Sequence, residues 1–367
     1  MIPKKNDNAV FQGAVSSQVD VNLLYSREPA PMGITDYGIG SNGSYQYSTD
    51  SFLGVVYIGS LSTRTATGDT EMSFQLNVNL QFSSGNRQYA YWIQNVASFD
   101  TSTSLLLFVN NIWNSTARSA NMTGSSISGN GIVATFRQGS LYFYAAGASS
   151  LGNSVHITYP TTVYLQVNAS TNSVGQPVVS FAYNNGYGWI TYDRVTFISA
   201  STLTELKGFV VNGFSYKPDG LFYDAELIVG SPSDSLQTTN IQSDVRLQLE
   251  YWNGHNYQTV TNAYNFGSNT AEGIQNVLSQ TYYYPENGAI IARITPGPGG
   301  LGTLFTQSQI GIIDIKSPLS SGVLSVKNAL NPSAAAWQYP FVNGKVTVTL
   351  MVGYFDLQLN QKWCTLL

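Results

Sequence analysis

The sequence has little charge, one cysteine and few histidines. Charged residues make up 10% of its 367 residues, well below the ~25% of ordinary globular domains. Cys364 is the only cysteine, so the chain can form no internal disulfide. The histidines, His156 and His255, are too few to favour a zinc site or a Ser/His catalytic triad. We therefore expect a protein that works without a metal or another cofactor.

Long apolar runs and basic clusters are missing as well. No segment reaches the ~20 apolar residues of a membrane-spanning helix. The first residues, MIPKKNDNAVFQG, lack the apolar core of a signal peptide. No patch rich in lysine or arginine suggests binding to nucleic acid. We expect neither a membrane span in this chain nor a nucleic-acid partner.

The polar residues of the chain are mostly uncharged. They include 24 tyrosines and many Ser, Thr, Asn and Gln side chains, whose hydrogen bonds do not change with pH in the acid range. Acid usually unfolds proteins by protonating carboxylates that are held in ion pairs, and this chain has few charged residues to form such pairs. The composition indicates tolerance of acid, and it is equally typical of structural β proteins of fibres, pili or surface layers.

Alternation of apolar and polar residues predicts strands. It is clearest at 72–82, which we interpret as a half-buried strand. The same period recurs at 163–167, 245–251, 346–350 and 355–359. Turn signals lie between such segments, for example SSGN at 83–86 and VNGK at 342–345. The pattern predicts an all-β fold, an antiparallel β-sandwich or jelly-roll-like arrangement.

One segment has helical periodicity. In NTAEGIQNVLSQ at 269–280, Asn269 can act as N-cap and Glu272 occupies the third helical position. Ile274, Val277 and Leu278 would form an apolar side. We predict a single short helix here.

A Gly/Pro-rich stretch, TPGPGG at 295–300, marks a weak boundary. We predict an N-terminal extension at 1–20, a main β domain at 21–300 and a C-terminal β segment at 301–367. That last segment is either a separate module or the final strands of the same fold.

Several segments, in the same order, resemble the thermopsins, which are acid endopeptidases of archaea from hot, acidic habitats. They are PAPMGITDYG at 29–38, YAYWIQNV at 89–96, FVNNIWNST at 108–116, PDGLFYDAELIVG at 218–230 and YNFGSNTAE at 264–272. The resemblance implies hydrolysis of extended protein or peptide substrates at low pH and high temperature, without a metal, by a secreted or cell-surface enzyme. Sequons agree with export; they lie at Asn42, Asn114, Asn121 and Asn168.

Two positions depart from the family pattern. Family members often carry Asp where this chain has Asn95, and often glycines where this chain has SPSDS at 231–235. The first departure argues against an essential acid at position 95.

Peptide hydrolysis in acid requires carboxyl groups, because a histidine base is protonated well below its ordinary pKa of about 6.5. Two carboxyls that share a proton can do the work, since one activates water while the other protonates the amide or its carbonyl oxygen. Asp224 and Glu226 are the first candidates, because alternate residues of a strand project from one face. In the alternative interpretation both face solvent on an edge strand.

Glu272, inside the thermopsin-like YNFGSNTAE, is the next catalytic candidate, unless it only caps the predicted helix. Trp92 and Gln94 share one face of a predicted strand and are candidate substrate-binding residues. The amide of Gln94 can polarise a carbonyl. A Gln/Glu pair is the machinery of the glutamic peptidases, another acid-protease class built on a β-sandwich, so Gln94 with Glu226 is an alternative dyad.

Two further aspartates are less favoured. Asp100, in FDTS, resembles the Asp-Thr-Gly/Ser loop of pepsin-like enzymes, but the sequence has no second copy and that chemistry needs two. Asp193 matches family positions, yet Arg194 beside it favours a structural role.

Other functions also fit this composition. One is a cell-surface structural β protein without protease activity. Another is a glycan-binding module or glycosidase, because aromatic β-sandwiches with paired carboxylates also process sugars.

Overall fold

The structure, a computed structural model, consists of strands and the turns between them. It describes residues 32–40, 43–114, 122–136, 141–147, 154–198, 200, 202–212, 225–232, 238–260, 262–267, 272–284, 289–297, 304–306, 310–316, 320–328, 337–343, 345–351, 355–359 and 362–366. Within these ranges there is no helix, and so none with the length and apolar character to cross a membrane. The predicted all-β class is confirmed.

The described residues form 29 strands. The first fifteen are β1 Met32–Asp36, β2 Ile39–Gly40, β3 Gly43–Ser44, β4 Tyr47–Thr49, β5 Ser51–Thr65, β6 Glu71–Ser84, β7 Arg87–Asp100, β8 Leu105–Asn114, β9 Ile132–Phe136, β10 Leu141–Ala146, β11 Ser154–His156, β12 Thr161–Thr171, β13 Pro177–Asn184, β14 Trp189–Thr196 and β15 Leu203–Val211. The rest are β16 Ala225–Gly230, β17 Thr238–Trp252, β18 Tyr257–Thr259, β19 Asn262–Phe266, β20 Ile274–Gln275, β21 Val277–Tyr284, β22 Ala289–Pro296, β23 Leu304–Thr306, β24 Ile310–Lys316, β25 Ser321–Asn328, β26 Trp337–Val342, β27 Lys345–Met351, β28 Phe355–Leu359 and β29 Lys362–Leu366.

The chain divides into two compact units. The larger contains the described residues between Gln18 and Phe305, and the smaller contains those of Thr306–Leu367. A twelve-stranded sheet runs in the order β23-β19-β1-β16-β6-β7-β8-β10-β9, with β11 paired to β8, and β15 paired to β4 and β6. A nine-stranded sheet runs in the order β14-β13-β12-β5-β17-β22-β21, with β18 and β20 beside β17. The smaller unit has a six-stranded sheet, β24-β27-β26-β25-β28-β29.

Strand β6 contains the predicted alternating segment 72–82. Its apolar residues, at the even positions, are buried, and so are the polar residues Ser73, Gln75, Asn77 and Asn79 on the opposite face. The prediction of a strand is confirmed, but the prediction that it is half-buried is wrong, because both of its faces are covered. A polar side chain is stable in such a place only when it is hydrogen-bonded, so the polar face must carry a network.

The apolar face of the twelve-stranded sheet packs on the nine-stranded sheet. The rings of Phe108 and Tyr183 stack with their centroids 3.7 Å apart. Between the sheets, Asn95 Nδ2 donates to the carbonyls of Gln166 and Ala182, both at 2.9 Å. An ionised carboxylate at position 95 would face two carbonyl oxygens and lose both bonds. The amide at this position therefore joins the two sheets.

The other predicted strands are present too: they lie within β12, β17 and β27 and coincide with β28. The turn after β6 closes at Ser84 and Arg87, with Gly85 at φ 56°. The turn after β26 closes at Val342 and Lys345, with Asn343 at φ 56°. Glycine and asparagine are the residues that adopt this left-handed conformation most readily. This preference explains why the sequence predicted both turns correctly.

The predicted helix at 269–280 is wrong in the part of that segment that the structure describes. Strand β20 begins at Ile274, and β21 begins at Val277 and pairs along its whole length with β22. Val277 and Ser279 are buried alternately, as in a strand. A helix of this length is marginal by itself, whereas pairing with β22 satisfies the backbone and covers the side chains. Asn269, the predicted N-cap, lies outside the described residues.

Candidate active site

A row of polar side chains crosses the twelve-stranded sheet on the face turned away from the nine-stranded sheet. In order across the strands, the row is Thr35, Glu226, Asn77, Gln94 and Asn111. Glu226 and Asn77 are fully buried, and Gln94 is 4% exposed. Neighbouring strands lie about 4.8 Å apart, so the backbones of Glu226 and Gln94 are about 10 Å apart. The side chains of Glu226 and Gln94 are both longer than the Asn77 side chain between them. The Glu226 carboxyl and the Gln94 amide therefore extend to a similar height above the sheet.

Two amides join a pair of carboxyl groups. Asn77 Nδ2 donates to Glu226 Oε1 at 2.7 Å and lies 3.3 Å from Gln75 Oε1. Gln75 Nε2 in turn donates to Glu272 Oε2 at 2.8 Å. Glu226 comes from β16, whereas Glu272 belongs to the irregular residues just before β20. Residues far apart in the sequence are thus brought into one hydrogen-bonded group.

Gln94 belongs to the same group. Its Nε2 lies 3.3 Å from Gln75 Oε1, and its Oε1 accepts a hydrogen bond from Trp113 Nε1 at 2.7 Å. We refer to Glu226, Asn77, Gln75, Glu272 and Gln94 as the amide network.

The end of β16 holds Glu272 in place. The backbone nitrogen of Ser231 donates to the carbonyl of Glu272 at 3.1 Å. A Cβ on Gly230 would lie 2.8 Å from that same carbonyl oxygen. The backbone of Glu272 can lie this close to the end of β16 because position 230 is glycine. Any side chain at position 230 would displace the backbone of Glu272.

A cavity of about 320 Å³ lies beside the amide network. Gln75, Gln94 and Glu272 contribute polar groups to its wall. Apolar side chains form much of the remainder: Val96, Leu107, Val109 and Pro232. An amide donor and a carboxyl therefore face one space with apolar walls, which suits a peptide bond flanked by side chains.

Of the predicted site residues, Glu226, Glu272 and Gln94 come together, and Asp224 lies outside the described residues. Trp92 is 7% exposed, and its ring lies 6.4 Å from that of Trp113. It does not line the cavity, so its role in substrate binding stays a prediction. In the described ranges, no three His, Cys, Asp or Glu side chains are grouped closely enough to hold a metal ion.

Sequence reasoning missed Gln75, Asn77 and Trp113. The signal was present, because amides occupy alternate positions of a strand whose other face is strongly apolar. A half-buried strand would leave this polar face in solvent, and only its burial identifies those amides as part of a site.

Asp193 has structural contacts. It is buried and accepts hydrogen bonds from Tyr144 Oη at 2.7 Å, Asn110 Nδ2 at 2.9 Å and the backbone nitrogen of Asn130 at 3.0 Å. These bonds tie β14 to β8 and β10, in agreement with the structural role predicted for it.

Asp100 is bound within its own turn. It accepts hydrogen bonds from Thr70, Ser102 and Thr103. Partial burial raises the pKa of Asp100, but these hydrogen bonds lower it by more and hold it well below its usual range. Its contacts are those of a turn residue, and it lies outside the amide network.

Comparisons with known proteins identify proteins that are similar to this chain. Among solved structures, the crystal structure of scytalido-glutamic peptidase with a transition state analog inhibitor matches 72% of this chain and 97% of that chain, at 8% identity and a TM-score of 0.26. The family model for thermopsin matches residues 17–277, a range that includes Gln94, Glu226 and Glu272. Thermopsin of Sulfolobus acidocaldarius is 31% identical over 298 residues, covering 76% of this chain and 84% of that protein. The chain belongs to the thermopsin family.

Proposed function

We propose that this chain is an acid endopeptidase that uses the carboxyls of Glu226 and Glu272, the amide of Gln94 and an activated water. Membership of the thermopsin family supports a peptidase. The observation that carries the site assignment is the amide network, which joins two carboxyls and Gln94 beside a cavity.

In the proposed reaction, the ionised carboxyl takes a proton from water, and the water oxygen attacks the peptide carbonyl carbon. Gln94 Nε2 donates a hydrogen bond to the carbonyl oxygen, where negative charge develops. The protonated carboxyl then gives its proton to the leaving nitrogen as the C–N bond breaks. No step needs a histidine, whose charge would be wrong at low pH.

The surroundings of the two carboxyls suit work in acid. Within the network, amides donate to these carboxyls. Amides carry no charge and donate equally well at any pH below neutrality. Between residues that the structure describes, ion pairs join Asp244 to Arg246 and to Arg293. Protonation of surface acids therefore removes few native contacts. These features support secretion into an acidic exterior, or retention at the cell surface there.

A digestion assay tests this function. The purified chain is expected to degrade a denatured protein such as casein with an optimum below about pH 5, and to lose activity towards neutrality as the acidic partner ionises. A chelator should have no effect, and an inhibitor of aspartic proteases should reduce the rate. Polysaccharide substrates serve as a control for the glycan-binding alternative. An unmodified chain that digests no protein at any pH would refute the proposal.

A further inference from the structure

We propose that Trp113 is a positioning residue whose indole N–H fixes the direction of every amide in the network, so that both carboxyls are held as hydrogen-bond acceptors. The inference rests on the proposed function and adds to it a residue outside the predicted machinery. It follows from the donors and acceptors that each side chain possesses.

The first step concerns Gln94. An indole nitrogen carries a hydrogen and can only donate. The side-chain atom of Gln94 that lies 2.7 Å from Trp113 Nε1 must therefore be the oxygen. The NH₂ group of Gln94 then points the other way, towards Gln75.

The second step carries this direction to Glu272. Because an amide NH₂ only donates, the Gln75 atom that lies 3.3 Å from Gln94 Nε2 must be Oε1. The nitrogen of Gln75 is then directed at Glu272 Oε2, 2.8 Å away, and lies 2.9 Å from Ser73 Oγ. All donors from Trp113 to Glu272 point the same way, and hydrogen bonds aligned in this manner strengthen one another.

The third step reaches Glu226. Gln75 Oε1 is an acceptor, so the Asn77 atom that lies 3.3 Å from it must be the NH₂ nitrogen. That same nitrogen lies 2.7 Å from Glu226 Oε1. One oxygen of each carboxyl thus receives an amide hydrogen.

The ring of Trp113 is itself held in place. It stacks on Phe143 with centroids 4.4 Å apart and planes 14° apart, and Trp92 lies on the neighbouring strand. Phenylalanine at position 113 would keep an aromatic ring against Phe143 but remove the N–H. The oxygen and nitrogen of the Gln94 amide could then exchange places. If Gln75 followed, its oxygen would face the oxygen of Glu272.

The test is Trp113→Phe in the protein-digestion assay. We expect kcat to fall about 10-fold, the order of one supporting hydrogen bond, with little change in KM. The acid limb of the pH profile should move to higher pH, because loss of a donor disfavours the ionised carboxyl. Trp189→Phe is the matched control, since Trp189 is 48% exposed on β14 of the other sheet, and it should keep the unmodified rate and profile.

A double-mutant cycle shows whether Trp113 acts through the network. Gln75→Met keeps a side chain of similar length, removes the contacts of the Gln75 amide with Asn77, Gln94, Glu272 and Ser73, and should lower kcat by itself. If Trp113 and Gln75 act through the same series of hydrogen bonds, the double variant should have a kcat no lower than that of Gln75→Met. Gln75→Met also keeps the proposal testable if Trp113→Phe does not fold, because it should produce the same shift of the acid limb.

Two results would overturn the inference: an unchanged kcat and pH profile in Trp113→Phe, or multiplicative losses in the double variant. Both presuppose an active unmodified chain, whereas failure of the proposed function would appear as absence of digestion by the unmodified chain itself. The two failures are therefore distinguishable in one set of assays.

Discussion

Replacing Glu226 or Glu272 by glutamine is expected to lower kcat by about 1,000-fold, the scale of losing a general acid or base. Glutamine has the same size but cannot take up or release a proton. Its oxygen can still accept the bond from Asn77 at position 226 or from Gln75 at position 272. The fold should therefore persist, as circular dichroism and thermal unfolding would show, while digestion of denatured protein at the acid optimum is lost.

Glu205→Gln is the matched control, because Glu205 is exposed on β15, and it should retain the full rate. A large loss in only one of the two variants would replace the two-carboxyl mechanism by a dyad of Gln94 with that glutamate. Retained activity in both would remove the site assignment. Asp224→Asn belongs in the same series, because the catalytic role of Asp224 stays a prediction.

The second large effect is on stability: the free energy of unfolding is expected to rise as the pH falls from about 7 to about 4, by on the order of 3 kcal/mol, through Asp36. Asp36 ends β1 and is 1% exposed. The hydroxyls of Tyr45 and Tyr47 and the backbone nitrogen of Gly38 donate to its carboxyl. Burial raises the pKa of Asp36 from 3.8 to about 6, although these hydrogen bonds oppose the rise.

The direction of this change in the free energy of unfolding follows from the raised pKa of Asp36. The folded protein binds the proton of Asp36 more tightly than the unfolded chain does, so protonation favours the fold. The stabilisation is complete below the unfolded pKa of 3.8 and is lost as the pH rises through about 6. This is the opposite of ordinary acid denaturation, in which carboxylates with lowered pKa values are protonated.

Guanidinium unfolding at a series of pH values measures this effect. Asp36→Asn cannot ionise, so its stability should lack the increase between about pH 7 and pH 4 that the unmodified chain shows. The exposed Asp50→Asn should keep the slope of the unmodified chain. Equal slopes in the unmodified chain and in Asp36→Asn would contradict the assignment to Asp36.

Several features could be predicted from the sequence by itself. The period of two in segments such as 72–82 determined the strands, because a strand exposes alternate residues to opposite faces. Glycine and asparagine at the turn positions determined the hairpins at 83–86 and 342–345. The scarcity of charge indicated tolerance of acid, and the segments around Gln94, Glu226 and Glu272 indicated the family.

Only the tertiary structure decided how those residues meet. A local period does not specify which strands become neighbours, and here β6 lies between β16 and β7, which places Asn77 between Glu226 and Gln94. Long-range pairing also formed strands from Ile274 onwards, where a helix was predicted, and covered the polar face of β6. Burial in turn obliges amides such as Gln75 to find partners. The network therefore depends on contacts between distant segments, which no local pattern contains.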